Sequence, residues 1–230
     1  MTPFAPTHFP TSATTFLLPG AAGAIEIACD DAEVEAARVG TAIICHPHPQ
    51  HGGTMHNKVV TIVARALRES GLATVRFNFR GVGESTGGFD DGHGEADDLV
   101  TVAEWVRKVH PEDALWLAGF SFGSAIALRS AKKLAAAALI SVAPPVDRID
   151  LAEIELPDCP WLIVQGEADE IVVPAAVFAW IDTLPRTLAN PPIVVRMADT
   201  SHFFHRRLMD LRGVVKNAMK PFLPPLRSAS

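Results

Sequence analysis

Short, almost wholly apolar runs recur along this chain, each followed by a longer stretch whose apolar residues fall at helical spacing. TAIICH (41–46), ALWLAGF (114–120), AAALISVAP (136–144) and WLIVQG (161–166) are the clearest of these runs. A strand that is apolar at every position must be covered on both faces, and the intervening stretches supply the cover. In NKVVTIVARALRESG, Val59, Ile62, Val63, Ala66 and Leu67 share one helical face, and the pattern stops at Gly71. GEADDLVTVAEWVRKV (94–109) begins acidic and ends on Arg107 and Lys108, the polarity a helix dipole favours. SAIALRSAKKL, PAAVFAWIDTL and HRRLMDLRGVVKNAMKPFL read as further helices, the second with Pro174 in its first turn. TTFLLPG and GAIEIAC read as an opening hairpin with Pro19-Gly20 in the turn region, ATVRFNFRG as a strand and PIVVRMA as the last strand. The alternation predicts an α/β fold: a mostly parallel sheet of about eight strands with helices on both faces.

A chain of 230 residues can bury one such core, and no internal repeat, low-complexity tract or linker divides it. The expectation is one domain over residues 1–230, with an ordered core from about 12 to 224, where Pro224 and Pro225 end the regular structure. Against 20 Lys and Arg stand 26 Asp and Glu, a net charge of -6, which excludes the basic surface a nucleic-acid partner needs. No window approaches the roughly 20 apolar residues of a membrane span, and the proline-rich start does not resemble a secretory signal. Cys29, Cys45 and Cys159 are too few and too scattered for a disulfide framework or a zinc ribbon. These features lead us to expect a cytoplasmic protein that acts on a small molecule without a cofactor. Apolar surface on the closing helix leaves a homodimer open.

In open sheets of this kind, ligands bind beyond the carboxyl ends of the strands. After ALWLA comes Gly119-Phe120-Ser121-Phe122-Gly123, a G-x-S-x-G pattern between a strand and a helix. That setting points to a nucleophilic serine on a sharp turn, rather than to a plain turn. The helix that starts there aims free N–H groups and its positive dipole end at the site. A serine hydroxyl needs a base to take its proton and an acid to orient that base. Asp169 follows the strand WLIVQG, and His202 follows the last strand, so both lie on the same sheet edge as Ser121. Serine, acid and histidine occur in the chain order of one class of α/β enzymes. Asp147, Glu167 and Glu170 are alternative acids, and His205, where the closing helix is expected to have begun, is an alternative base.

The segment after TAIICH holds His46, His48, His51 and His56 within eleven residues. Imidazoles in such number could bind a metal, yet no accompanying H-E-x-x-H, cysteine or carboxylate spacing supports a metal site. The alternative is an oxyanion loop, which requires backbone N–H groups aimed at a developing charge. Pro47 and Pro49 have no N–H to give, which leaves His48 as the local donor, with Phe122 as its partner and His46 bracing the loop. RGVGESTGGFDDGHGE (80–95) lacks the lysine of a P-loop and reads as a loop at the rim of the site.

With CHPHPQHGGTMHNKVV, VRFNFRGVGESTG, LAGFSFGS, VQGEADEIV and DTSHFFH in place, the chain resembles the α/β-hydrolase superfamily along nearly its whole length. Within it, the chain resembles small bacterial enzymes of the carboxylesterase or dienelactone-hydrolase kind. The resemblance implies Ser121, Asp169 and His202 as the catalytic triad of an ester-cleaving enzyme. Thioesters and amides are the nearest other substrates, and a non-catalytic or metal-binding module is the alternative of another class. A dienelactone hydrolase in the strict sense usually has cysteine where Ser121 stands. Many relatives insert a helical lid after the sixth strand; here PPVDRIDLAEIELPDCP is too short for one. An uncovered site follows, with Phe120, Phe122, Met55, Phe203 and Phe204 as candidate rim residues.

Overall fold

The computed structural model describes residues 5–33, 37–148, 154–185 and 187–228. Eight strands form one sheet: β1 (Thr14–Gly20), β2 (Gly23–Asp30), β3 (Gly40–Cys45), β4 (Ala73–Phe77), β5 (Ala114–Phe120), β6 (Ala138–Val142), β7 (Trp161–Gly166) and β8 (Ile193–Met197). Their order is β1-β2-β4-β3-β5-β6-β7-β8. β2 runs antiparallel to β1 and β4, and every pair from β4 to β8 is parallel. Among the described residues the α-helices are α1 (Lys58–Arg68), α2 (His93–Val109), α3 (Phe122–Ala131), α4 (Pro174–Asp182) and α5 (Leu208–Met219).

The apolar strands are sandwiched as their composition requires. Along β3, Ile43 and Cys45 join one core, while Ala42 and Ile44 join the other. Along β5, Leu115 and Leu117 face the side of α2 and α3, and Trp116, Ala118 and Phe120 face the side of α1 and α5. This is the period-two alternation of a strand expressed on a sheet covered twice. Helix starts are fixed locally: the Asn57 side chain accepts the Val59 N–H at 2.8 Å, and the buried Glu95 carboxylate accepts the N–H groups of Gly92 and Asp90.

Three boundaries differ from the sequence reading. Pro19 and Gly20 end β1 in pairing with Ala24 and Gly23, so the hairpin turns at Ala21 and Ala22 instead. The fourth strand ends at Phe77; the Asn78 N–H still reaches the Glu26 carbonyl of β2 at 2.9 Å, while its side chain turns to the loops, accepting the Met55 N–H and donating to the Glu26 carboxylate. The closing helix begins only at Leu208, since Phe204 and Arg206 adopt φ of 53° and 60°, which a right-handed helix excludes. His205 therefore lies in the turn before it. Between β6 and β7 lie residues 143–160, of which 149–153 fall outside the described residues.

Candidate active site

Ser121 stands where β5 gives way to α3, at φ 52° and ψ -123°. Such a conformation costs a non-glycine residue on the order of 1–3 kcal/mol and persists only where its surroundings hold it. Here they do. The Ser121 N–H donates to the Val142 carbonyl at 2.8 Å, and its carbonyl accepts from the N–H and the Oγ of Ser124. The two flanking glycines are required by close approach. A Cβ on Gly119 would run into the Gly123 carbonyl, and one on Gly123 would run into the carbonyls of Cys45 and His46. The turn is thus wedged directly against the end of β3.

Asp169 lies just beyond β7 with each carboxylate oxygen accepting two hydrogen bonds. Oδ1 accepts from the N–H groups of Ile171 at 2.9 Å and Val172 at 2.7 Å. Oδ2 accepts from His202 Nδ1 at 2.8 Å and from Gln165 Nε2 at 3.0 Å. Burial alone would raise the pKa of Asp169, but His202, Val172 and Ile171 outweigh it and hold the carboxyl below its ordinary range. His202 is only 2% exposed and packs its ring against Phe120, with centroids 4.9 Å apart. Its N–H donates to Glu170 at 3.1 Å, which fixes the turn that carries the ring. Among the alternative acids, then, Glu170 serves the backbone of His202 and not its ring. Asp147 instead lies beside Arg148 at 4.0 Å.

The histidine loop after β3 is folded around His46. Its Nδ1 donates to the Pro47 carbonyl at 2.6 Å, and its Nε2 accepts the Phe79 N–H at 3.0 Å. Accepting at one nitrogen and donating at the other requires a neutral ring, and burial drives its pKa down to about 4. His48 stacks on His51 with ring centroids 4.4 Å apart, and its Nδ1 accepts the Gln50 N–H. Burial and the nearby His51 and Arg148 lower the pKa of His48. Among the described residues no group of three His, Cys, Asp or Glu is placed to hold a metal ion. Neither the His48 nor the Phe122 N–H donates to a protein acceptor among those residues.

Ser121, His202, His48, Phe122 and Phe203 line one cavity of about 630 Å³. Ser121 Oγ makes no hydrogen bond to His202 among the described residues. Three expected rim residues are not in its wall. Met55 is fully buried, drawn inward by the bond from its N–H to Asn78. Phe120 is 1% exposed and lies in the core under α5, because it continues the inward face of Trp116 and Ala118. Phe204 is also core, whereas Phe203 is 39% exposed beside the cavity. Gln165 was missed by sequence reasoning, although a lone amide in the apolar run WLIVQG is a legible signal for a buried hydrogen-bonding role.

Comparison with known proteins decides the family. Residues 48–153 match the model of the family described as serine aminopeptidase, S33, a span that includes Ser121. A structure described as a lidless α/β serine hydrolase from Xanthomonas campestris is 52% identical, covering 94% of this chain and 98% of its own, with a TM-score of 0.90. An α/β serine hydrolase homologue from Coxiella burnetii is 45% identical, over 91% and 98% of the two chains, with a TM-score of 0.85. An uncharacterized protein of Rickettsia prowazekii is 32% identical over 182 residues, 76% of each chain. The chain belongs to the α/β-hydrolase superfamily. As a serine hydrolase of that superfamily it has the lidless form of the fold. No helix among the described residues is long and apolar enough to cross a membrane.

Proposed function

We propose that this serine hydrolase cleaves small carboxylic esters through an acyl-enzyme, with Ser121, His202 and Asp169 as nucleophile, base and orienting acid. The observation that carries the reading is the 2.8 Å bond from His202 Nδ1 to a fully hydrogen-bonded Asp169, beside the same cavity as Ser121. With Nδ1–H committed to the carboxylate, the neutral ring presents Nε2 as its basic nitrogen. Ser121 Oγ attacks the ester carbonyl as its proton passes to Nε2, and Asp169 stabilises the imidazolium that results. The oxyanion is held by the Phe122 and His48 N–H groups, whose lack of protein acceptors suits them to it. Collapse breaks the carbon–oxygen bond, the alkoxide leaves with the proton from His202, and water repeats the sequence to release the acid.

Thioesters and amides would use the same groups. An ester and thioester panel, run beside labelling with a fluorophosphonate probe, tests the reading. The expected result is stoichiometric labelling of wild type, none of Ser121→Ala, and turnover of short-chain aryl esters by wild type alone. Ester turnover retained in Ser121→Ala would overturn the assignment.

A further inference from the structure

One face of α3 runs along the cavity from the nucleophile: Ser121 at the cap, Phe122, then Ala125 and Ile126, then Arg129. Eight residues of helix span about 12 Å, and the intervening wall is apolar. Arg129 does not point away from this wall. The site that a Cβ on Gly92 would occupy lies 3.5 Å from Arg129 Nη1 and 3.8 Å from Phe122 Cε2, so the guanidinium and the Phe122 ring border the same space beside Gly92. Gly92 has φ 88° and no side chain, which leaves this passage open.

The guanidinium has no protein partner among the described residues. Among the described residues Arg129 makes no hydrogen bond and no ion pair, and its Nη1 is buried without an acceptor. A buried donor on a charged group costs more than an ordinary lost hydrogen bond unless something accepts from it. Its remaining nitrogens are not enclosed, and the residue lines the cavity. Among the described residues two carboxylates share a surface with Arg129, Asp97 in a shallow depression on the far side and Asp91 in the cavity itself, and Arg129 forms an ion pair with neither. Within the main cavity the side chains charged at neutral pH are Arg129, Arg148 and Asp91, a positive balance in a protein of net charge -6. Arg148 is already tied to the Ile171 carbonyl at 2.9 Å, which leaves Arg129 as the unengaged cation of the cavity among the described residues.

From this arrangement we infer that Arg129 anchors the substrate, and that the substrate is an ester carrying a carboxylate at the end of a short apolar chain. The inference rests on the reading of Ser121 as nucleophile. The chain lies along Ala125 and Ile126, and the carboxylate meets the guanidinium while the ester carbonyl sits at Ser121.

The test measures kcat/KM on matched straight-chain esters: neutral monocarboxylate esters, dicarboxylate monoesters, and esters whose carboxylate is on the alcohol. Wild type is expected to prefer one carboxylate-bearing set over the neutral one. Arg129→Gln should reduce that preference about 10- to 100-fold, the loss of one charge-assisted hydrogen bond. Arg129→Lys keeps the charge without the planar fork and should fall between. An unchanged preference in Arg129→Gln, or a wild type that prefers neutral esters, would overturn the anchor. Calorimetric titration of a straight-chain dicarboxylate onto Ser121→Ala, with and without Arg129→Gln, reads the anchor without turnover; equal binding to both would also overturn it. Failure of the nucleophile reading is separate, and would appear as absent fluorophosphonate labelling in wild type while the calorimetry still decides Arg129.

Discussion

Two loops on the same sheet edge carry histidines, and they use them in opposite ways. The loop after β3 holds four, and its most buried member, His46, has both ring nitrogens bonded to backbone, at Pro47 and Phe79. The loop after β8 holds His202 and His205, and His202 has one nitrogen on Asp169 while Nε2 has no protein partner among the described residues. A ring with both nitrogens engaged can hold a fold but cannot move a proton. A ring anchored at one nitrogen is positioned and still reactive at the other. The number of histidines in a loop is therefore a poor guide to its chemistry, and the bonding of each nitrogen is a good one.

The comparison breaks most sharply on turnover. His202→Ala should lower kcat on a short-chain ester by at least about 10,000-fold, and Asp169→Asn by about 10,000-fold through the wrong tautomer. Both variants should still unfold cooperatively in urea. Turnover within tenfold of wild type in either would move the base or the acid elsewhere.

The next effect belongs to the β3 loop but is carried by its backbone. His48 has φ -50°, a value that proline accepts, so His48→Pro removes the N–H with little change of backbone. With the His48 N–H as the proposed oxyanion donor, its loss should cost about 100- to 1,000-fold in kcat. His48→Ala keeps the N–H and should lose far less. Equal losses in the two variants would assign the effect to the imidazole and its stacking on His51 and Phe122.

Much of this arrangement is legible in the sequence, for a physical reason. A strand covered on both faces is apolar nearly throughout, so its end is marked where polar residues resume, and Ser121 and Asp169 fall at or just beyond such ends, while His202 follows the edge strand β8, whose Arg196 is exposed. Face is less legible than position. Phe120 adjoins Ser121 in sequence, yet the pleat sends it to the opposite core, a direction that alternation with Trp116 and Ala118 already implied. Met55 carries no such signal, because its burial depends on Asn78, a residue 23 positions away on the loop after β4. The start of α5 was equally hidden, since nothing in H-F-F-H-R-R marks Phe204 and Arg206 as left-handed.

Acid sharpens the contrast between the loops in stability. The His46 pKa falls from 6.5 to about 4 on folding, so the unfolded chain binds its proton first. The stabilisation is complete above pH 6.5 and is lost as pH falls toward 4, at most about 3 kcal/mol. Asp169, held below the ordinary carboxylate range, adds a loss of the same sign at still lower pH. Urea unfolding across this range should show the first decline in wild type and not in His46→Gln, which cannot titrate. A parallel decline in both proteins would place the acid sensitivity elsewhere.

The smallest effect concerns the fourth donor to Asp169. Gln165 is fully buried, and its Nε2 bonds the same carboxylate oxygen that receives His202 Nδ1. Its own Oε1 has no partner among the described residues, so the amide is held in place by what it donates and not by what it accepts. Gln165→Met fills similar space but withdraws that donor, which should make Asp169 a slightly stronger acceptor for His202 while freeing it to shift. Position outweighs basicity here, because an imidazole must be aimed to within a fraction of an ångström of its target. A net loss in kcat of about fivefold, the worth of roughly 1 kcal/mol, is expected with KM little changed. Gln165→Glu separates the two contributions: with a second carboxylate beside Asp169, the pair cannot both ionise freely, and the pH dependence of kcat should move where that of Gln165→Met does not. If the two variants gave the same pH profile, Gln165 would be a packing residue of β7 and would have no part in aiming His202.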